Sequence, residues 1–244
     1  MLAIRSILFY FGMVLSLLCL VPFMLVAFPF PYSIRYGVLT RWGRFNVWWL
    51  RVTCGVIYRV EGQENIPPGP AIIMAKHQSA WETFALQIIF PPQTWVLKRS
   101  LLWIPVFGWG LALLYAIAID RSAGRQALQQ VIEQGTQRLR KGIWVVIFPE
   151  GTRTVPGTQG KYNIGGPMLA EKSGYPVVPV AHNAGECWSR NSFIKYPGQI
   201  TVVIGPVIDP TGKKASVIGR EVEAWIEGTM DRISGVPRST PPPA

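Results

Sequence analysis

Acidic residues, histidine and cysteine are all scarce in this 244-residue chain, and each shortage narrows what the protein can do. Lysine and arginine together number 24 against 13 aspartate and glutamate residues, which gives a formal net charge of +11. An excess of this size indicates an anionic partner: a membrane surface, a phosphate substrate, an acidic protein or nucleic acid. No nucleic-acid recognition motif accompanies the charge, so we expect no nucleic-acid partner.

The few cysteines and histidines argue against a disulfide framework and against a metal site. Cys19, Cys54 and Cys187 include no CxxC pair, which favours a reducing compartment. His77 and His182 lie far apart in the sequence, and no HExxH is present. Walker A, GxGxxG and GxSxG sequences are also missing, and no serine or cysteine has the sequence context of a catalytic nucleophile. We therefore predict no metal and treat His182 as structural or peripheral.

Charge is missing altogether from residues 6–34, where the chain is strongly apolar. Ile7–Val21 is almost wholly apolar, and Phe23–Phe30 continues the run. About 20 apolar residues suffice to cross a bilayer as a helix. Because Pro22 and two later prolines interrupt the second half, the segment either spans the membrane or enters one leaflet, bends at Pro22 and returns. A cleaved signal peptide is disfavoured, since the run is long and no small-x-small cleavage site follows it.

The next segment, Tyr36–Tyr58, combines arginine with aromatic residues, and no acidic residue occurs before Glu61. This composition is typical of a segment at an anionic lipid surface, although an amphipathic helix packed on the domain would read similarly. The arginines predict that this side of the apolar run is cytoplasmic, at the inner (cytoplasmic) membrane. We predict a membrane-anchoring and interfacial segment (1–60), a catalytic domain facing the cytoplasm (61–234) and a disordered proline-rich tail (235–244).

Beyond Glu61 the chain alternates short apolar runs with amphipathic segments. The predicted strands are Ala71–Ala75, Thr94–Leu97, Ala116–Ile119, Ile143–Phe148, Val177–Ala181 and Thr201–Ile204. Helices are predicted over Ala123–Lys141 and Ala215–Ile233. This alternation predicts an α/β fold with a mixed, mostly parallel sheet flanked by helices.

His77 and Glu82 follow the first of these strands, and they admit two interpretations. Ser79-Ala-Trp-Glu82 fits a capping box, in which the glutamate serves only to begin a helix. Alternatively, His77 lies in the turn and Glu82 in the first helical turn, where the carboxylate orients the imidazole as a general base. The pair cannot meet if both residues are helical, because five residues turn through about 500°.

A second motif, Phe148-Pro-Glu-Gly-Thr-Arg153, follows the most apolar strand. Gly151 allows close approach of the backbone to a ligand, and Arg153 offers a planar fork suited to phosphate. Together with His77-x4-Glu82, this motif resembles the glycerolipid acyltransferases, in particular the bacterial 1-acyl-glycerol-3-phosphate acyltransferases. Further blocks that match the family are Lys98–Gly110, Ala118–Arg121 and Val177–Ala181. Most members carry aspartate at the position of Glu82, so this chain keeps the carboxylate on a longer arm.

The resemblance implies direct acyl transfer from a thioester, without a covalent acyl-enzyme and without a cofactor. The acyl donor would be acyl-ACP or acyl-CoA, and the acceptor the sn-2 hydroxyl of lysophosphatidic acid, giving phosphatidic acid for phospholipid biosynthesis. His77 would act as the base and Glu82 would orient it. The acceptor site implied by the resemblance comprises Glu150, Gly151, Thr152 and Arg153, with Lys98 and Arg121 as further candidates unless they are ordinary surface charges.

Two alternative functions share these motifs. One is acyl transfer to another lysolipid, such as lyso-ornithine lipid, which the motifs do not distinguish. The other is a catalytically silent membrane lipid-binding protein, against which the intact His77 and Arg153 argue. Anionic membrane lipids are expected partners in every case.

Overall fold

A computed structural model describes residues 1–237 of the chain. It begins with a hairpin of two long helices, α1 (Leu2–Ala27) and α2 (Tyr32–Cys54). Trp49 on α2 donates a hydrogen bond to the carbonyl of Leu8, and Trp42 donates to the Ser16 hydroxyl further along α1. The two helices therefore run antiparallel.

Of the two alternatives that the sequence left open for the apolar segment, the one with a bend at Pro22 places the bend too early. Helix α1 continues through Pro22 to Ala27, and the chain turns back only at residues 28–31. The helical residues before Pro22, Leu2–Val21, make about five and a half turns, and α1 packs on α2 along this length. Among the described residues, α1 is the one helix long and apolar enough to cross a membrane.

Helix α2 has features of both interpretations of the segment Tyr36–Tyr58: it is an amphipathic helix packed on the domain, and it exposes arginine and aromatic side chains. One face, including Leu39, Val47 and Leu50, is buried against the rest of the protein. The opposite face leaves Trp48 and several arginines exposed. The helix ends at Gly55, whose φ of 71° favours glycine.

A seven-stranded sheet follows the hairpin. Its strands are β1 (Val56–Glu61), β2 (Ile72–Ala75), β3 (Gln93–Lys98), β4 (Ile117–Ile119), β5 (Trp144–Ile147), β6 (Val177–His182) and β7 (Gly198–Ile204). Their order is β1-β7-β6-β2-β5-β3-β4, and the neighbours are parallel except for the antiparallel pair β6–β7. The predicted mixed, mostly parallel sheet is confirmed.

The helices that flank the sheet are α3 (Trp81–Ile89), α4 (Phe107–Leu113), α5 (Arg125–Arg140), α6 (Gly165–Ser173), α7 (Ala184–Cys187) and α8 (Ala215–Ile233). The central strand β2 separates two apolar layers. Ile73 and Ala75 face a layer that includes α1, α2 and α3, whereas Ile72 and Met74 face a layer built by α5, α6 and α8. Burial on both faces explains why β2 reads as an unbroken apolar run.

Strand β1 was not predicted, and it crosses the predicted domain boundary at residue 60. Within residues 1–237 it is an edge strand that pairs only with β7, and Ile57, Tyr58 and Arg59 are exposed. An edge strand of this kind carries no clean apolar alternation. In the predicted tail, the Gly235 amide donates to Glu186 Oε1 at 3.0 Å, and residues 238–244 lie outside the described part of the chain.

The topology brings the two sequence motifs together. Strands β2 and β5 are parallel neighbours, with Met74 opposite Ile147. His77 follows β2 and Phe148 follows β5, so both motifs leave the sheet at the same carboxyl edge, where ligand sites of α/β sheets gather.

Candidate active site

The imidazole of His77 is held by the carboxylate of Glu82. His77 lies in the turn after β2, and Glu82 lies in the first turn of α3. The distance from His77 Nδ1 to Glu82 Oε1 is 2.8 Å. The chain therefore folds back between the two residues, as the general-base interpretation requires.

The same Glu82 oxygen also begins the helix. Oε1 accepts hydrogen bonds from the backbone amides of Gln78 and Ser79, at 3.1 and 2.9 Å. The Ser79 hydroxyl accepts from the Trp81 amide. Half of the capping box is thus formed around the pair, and the two interpretations coexist.

Glu82 is charged where it lies. Its side chain is completely buried, and burial by itself would raise the pKa of the carboxyl. Hydrogen bonds from His77 and from the Ser79 amide oppose this effect, and the pKa of Glu82 falls below its usual value. A carboxylate on Nδ1 fixes the tautomer in which Nδ1 carries the proton and Nε2 accepts one.

The ring and the backbone of His77 are both fixed. The ring stacks on Phe148, with centroids 4.0 Å apart and planes 14° apart. The His77 amide donates to Glu150 Oε2 at 3.0 Å, and its carbonyl accepts from the Thr154 amide at 2.7 Å. The side chain is 15% exposed and opens onto a cavity.

This cavity has a volume of about 680 Å³ and lies between the hairpin, α3, α4 and α5. Most of its wall is apolar, including Leu17, Met24 and Leu39 from the hairpin. Its basic side chains are Lys98, Arg121, Arg125 and Arg153. No aspartate or glutamate among residues 1–237 lines it, so the site attracts an anion that carries a long apolar chain.

The residues predicted from the sequence divide into two groups. Those lining the cavity are His77, Lys98, Arg121, Gly151 and Arg153. Glu82 lies behind His77, and Thr152 is exposed outside the lining. The Glu150 side chain is buried and turned away from the cavity: Oε1 accepts from Lys76 Nζ and the Gly160 amide, and Oε2 accepts from the His77 amide. The roles of these residues in acceptor binding stay predictions.

Gly151 occupies a position that favours glycine. Its φ is 68°, in the left-handed region, and a Cβ there would lie 3.1 Å from Asn163 Nδ2. The turn aligns Arg153 with the cavity, and the Arg153 carbonyl accepts from Arg190 Nη1 at 2.8 Å.

Arg125 and Lys76 were not predicted as functional residues from the sequence. Arg125 begins α5 and lines the cavity. The sequence signal that could have indicated Arg125 is its spacing of four residues from Arg121, a residue already predicted for the site. Lys76 is fully buried directly before His77, and nothing local in the sequence indicates the two carboxylates that it contacts.

His182 and Cys187 have structural surroundings. His182 is wholly buried, its Nε2 donates to the Lys76 carbonyl, and its Nδ1 accepts from the Ala184 amide. Burial lowers the pKa of His182 and raises that of the Cys187 thiol to about 11, so both are neutral. Within residues 1–237, no group of three or more His, Cys, Asp or Glu side chains could hold a metal ion.

Known proteins similar to this chain include a family model, two curated relatives and a solved structure. The family model described as Acyltransferase matches residues 57–183, a span that contains both motifs. The 1-acyl-sn-glycerol-3-phosphate acyltransferase of Pseudomonas aeruginosa is 47% identical over 239 residues, covering 96% of this chain and 93% of that protein. The chloroplastic 1-acyl-sn-glycerol-3-phosphate acyltransferase LPAT1 of Arabidopsis thaliana is 27% identical over 86% of this chain and 58% of its own.

A solved structure has the same fold. The crystal structure of the 1-acyl-sn-glycerophosphate acyltransferase PlsC from Thermotoga maritima matches with a TM-score of 0.79 at 25% sequence identity, covering 94% of each chain. The match includes the N-terminal hairpin, because it extends over nearly the whole chain. With a family model matching more than half of its length and a relative aligned along almost all of it, this chain belongs to the acyltransferase family.

Proposed function

We propose that this protein transfers a fatty acyl group from a thioester to the sn-2 hydroxyl of 1-acyl-sn-glycerol-3-phosphate, giving phosphatidic acid. One observation carries the proposal. His77, with its tautomer fixed by Glu82, opens onto a single cavity that offers both an apolar wall and four basic side chains. The names of the relatives support the same acceptor.

In the proposed reaction, His77 Nε2 removes the proton from the sn-2 hydroxyl while the oxygen attacks the thioester carbonyl carbon. The tetrahedral intermediate collapses, the C–S bond breaks, and the proton passes from His77 to the leaving thiolate. The buried Glu82 carboxylate stabilises the imidazolium that exists between the two proton transfers. No side-chain nucleophile is needed, and burial keeps Cys187 a thiol.

The basic side chains favour a phosphate acceptor. A phosphomonoester brings up to two negative charges, and Arg153, Arg121, Arg125 and Lys98 can meet them in a cavity without a lining carboxylate. A zwitterionic acceptor such as lyso-ornithine lipid would leave part of this charge unmatched. The apolar wall would receive acyl chains. Acyl-ACP and acyl-CoA are both anionic, so we propose a thioester donor of either kind.

The position of α1 favours a protein that lies in one leaflet. Near the start of α1, Ser6 Oγ accepts from the Lys195 amide at 2.9 Å, and near its end Met24 lines the same cavity as His77. Both ends of the helix thus contact the catalytic domain, which a helix crossing the bilayer could not do. We propose that the exposed apolar face of α1 and the arginines of α2 seat the enzyme on anionic lipids at the cytoplasmic face of the inner membrane.

The test is a substrate panel on the purified protein. Lysophosphatidic acid, lysophosphatidylcholine and lyso-ornithine lipid are each supplied with acyl-ACP or acyl-CoA, and products are identified by mass spectrometry. We expect phosphatidic acid as the main product and none from His77→Ala. Preferred acylation of lyso-ornithine lipid, or equal background with wild type and His77→Ala, would refute the proposal.

A further inference from the structure

We propose that the C-terminal helix α8 fixes the position of His77 through a buried ion network formed by Lys76, Glu150 and Glu227, which makes these three residues positioning residues for the proposed reaction. The kinetic test of this inference rests on the proposed function. A second test, which follows the backbone amide signal of His77, is independent of that function.

Lys76 is the centre of the network. Its side chain is 1% exposed, and its ammonium lies 2.8 Å from Glu150 Oε1 and 2.9 Å from Glu227 Oε1. The Lys76 ammonium also donates a hydrogen bond to the Thr158 carbonyl at 3.3 Å. All three protons of the ammonium therefore have acceptors, which a buried charge requires.

Glu150 transmits this arrangement to the catalytic residue. One of its oxygens accepts from Lys76 and the other accepts from the His77 amide. The Lys76 carbonyl, which belongs to the same peptide unit as that amide, accepts from His182 Nε2 at 2.8 Å. The peptide unit that leads into His77 is thus held at both of its polar atoms by buried side chains.

Glu227 links the network to α8. Its Oε1 accepts from Lys76 and also from the Tyr162 hydroxyl at 2.8 Å, and only 7% of the residue is exposed. Glu227 lies outside residues 57–183, the span matched by the family model. Helix α8 therefore adds a contact behind the catalytic histidine that the two sequence motifs do not contain.

The arrangement has a specific kinetic consequence. The network contacts the backbone of His77 through Glu150, and none of Lys76, Glu150 and Glu227 lines the cavity. Loosening it should misplace Nε2 relative to the acceptor hydroxyl and leave acceptor binding unchanged. A displacement of about 1 Å can cost on the order of 100-fold in rate.

The central experiment compares Glu227→Gln with Glu223→Gln. Glu223 lies one turn earlier on α8, accepts a hydrogen bond from Gln159 at the surface and acts on Tyr162 only through its charge, so its variant loses the same charge from the same helix without losing a hydrogen bond of the network. For Glu227→Gln we expect kcat to fall at least tenfold with KM for lysophosphatidic acid within twofold, at a temperature where thermal unfolding shows the variant folded. Glu223→Gln should retain both constants. A folded Glu227→Gln with unchanged kcat, or with a loss confined to KM, would overturn the proposal.

A second measurement keeps the proposal testable if Glu227→Gln does not fold or if the wild type acylates no lysolipid. Tyr162→Phe removes one hydrogen bond to Glu227 and keeps every charge. Because the chain has only two histidines, ¹⁵N-histidine labelling leaves two backbone amide signals, and the one that disappears in His77→Ala is that of His77. We expect that signal to shift in Tyr162→Phe and to stay in place in Glu223→Gln. An unmoved His77 amide in Tyr162→Phe would contradict the coupling, whereas an inactive wild type with a shifting amide would refute the proposed function alone.

Discussion

At the scale of single residues, one oxygen of Glu82 does two jobs. It accepts hydrogen bonds from two backbone amides at the start of α3 and from Nδ1–H of His77. A substitution at this position therefore has to separate the loss of charge from the loss of hydrogen bonding.

Glu82→Gln makes that separation. Its amide oxygen can still accept from the backbone, so we expect a nearly unchanged melting temperature. Turnover should fall strongly, because a neutral amide does not stabilise imidazolium. His77→Ala should lose at least about 100- to 1,000-fold in rate. Glu82→Asp should keep substantial activity, since it retains the charge. If Glu82→Gln melts like wild type and turns over at the same rate, Glu82 is a cap only.

Arg153 is the second residue that can be tested alone. Arg153→Ala should cost about 2 to 5 kcal/mol of transition-state binding if it pairs with a desolvated phosphate. Arg153→Lys should recover only part, because an ammonium does not reproduce the bidentate fork. Arg140→Ala is the matched control, since Arg140 is exposed on α5 and does not line the cavity. An unchanged kcat/KM for lysophosphatidic acid in Arg153→Ala would exclude the phosphate role.

At the scale of elements, Lys195 attaches α1 to the catalytic domain. Its ammonium donates to the Tyr10 hydroxyl at 2.9 Å and to the carbonyls of Ser192 and Phe193. It also lies 4.5 and 4.8 Å from the ring centroids of Tyr10 and Trp188. Burial lowers the pKa of Lys195 from 10.5 to about 8.

This pKa predicts an alkaline effect on stability. Between pH 8 and 10.5 the unfolded chain keeps a proton on Lys195 that the folded protein has released, so folding becomes more favourable as the pH rises through this window. Below pH 8 both states are protonated and the cost of burying the ammonium is fully present. We expect the melting temperature of the wild type in detergent to rise relative to Lys195→Met from pH 8 to 10.5. Parallel curves for the two proteins would contradict the assignment.

At the scale of the whole molecule, the helical hairpin supplies part of the cavity wall. Gly110 on α4 lines it, and a Cβ at Gly110 would lie 3.5 Å from Met24 Cε and 3.9 Å from Leu39 Cδ2. A larger side chain would therefore extend into the space beside α1 and α2.

Gly110→Phe should shift the preferred acyl chain to shorter lengths. The measurement is the product profile with a mixture of donors of different chain length. Gly37→Phe is the control, because Gly37 on α2 has no atom within 4 Å of its Cβ position. An unchanged profile in a folded Gly110→Phe would mean that acyl chains lie elsewhere.

The orientation of the hairpin gives a further whole-molecule prediction. Cysteines introduced at Leu2 and Ser33, at opposite ends of the hairpin, are labelled with a membrane-impermeant thiol reagent after replacing Cys19 with serine. The reagent is added to spheroplasts, where it reaches only the periplasmic side of the membrane. If α1 lies in the cytoplasmic leaflet, neither cysteine should be labelled. Periplasmic labelling of one position alone would indicate a spanning helix.

The sequence determined the parts of this protein that depend on local order. Strands β2 and β5 are unbroken apolar runs, so both were predicted, and helix α8 has its predicted bounds. The motifs at His77 and Phe148 each follow such a strand, so their place at a sheet edge was also predictable. The pairing of His77 with Glu82 was open between two interpretations, because the sequence does not fix where the helix begins.

Only the tertiary structure decided the contacts between distant segments. Glu150 lies in a motif that predicts acceptor binding, yet its carboxylate contacts Lys76, 74 positions away, and Glu227 on α8 meets the same ammonium across 151 positions. Strand β1 forms because β7 provides its hydrogen-bonding partner, not because its own residues alternate. Local patterns set by side-chain period can be read along the chain, whereas the partner of a buried charge or of an edge strand is fixed only when the whole core has packed.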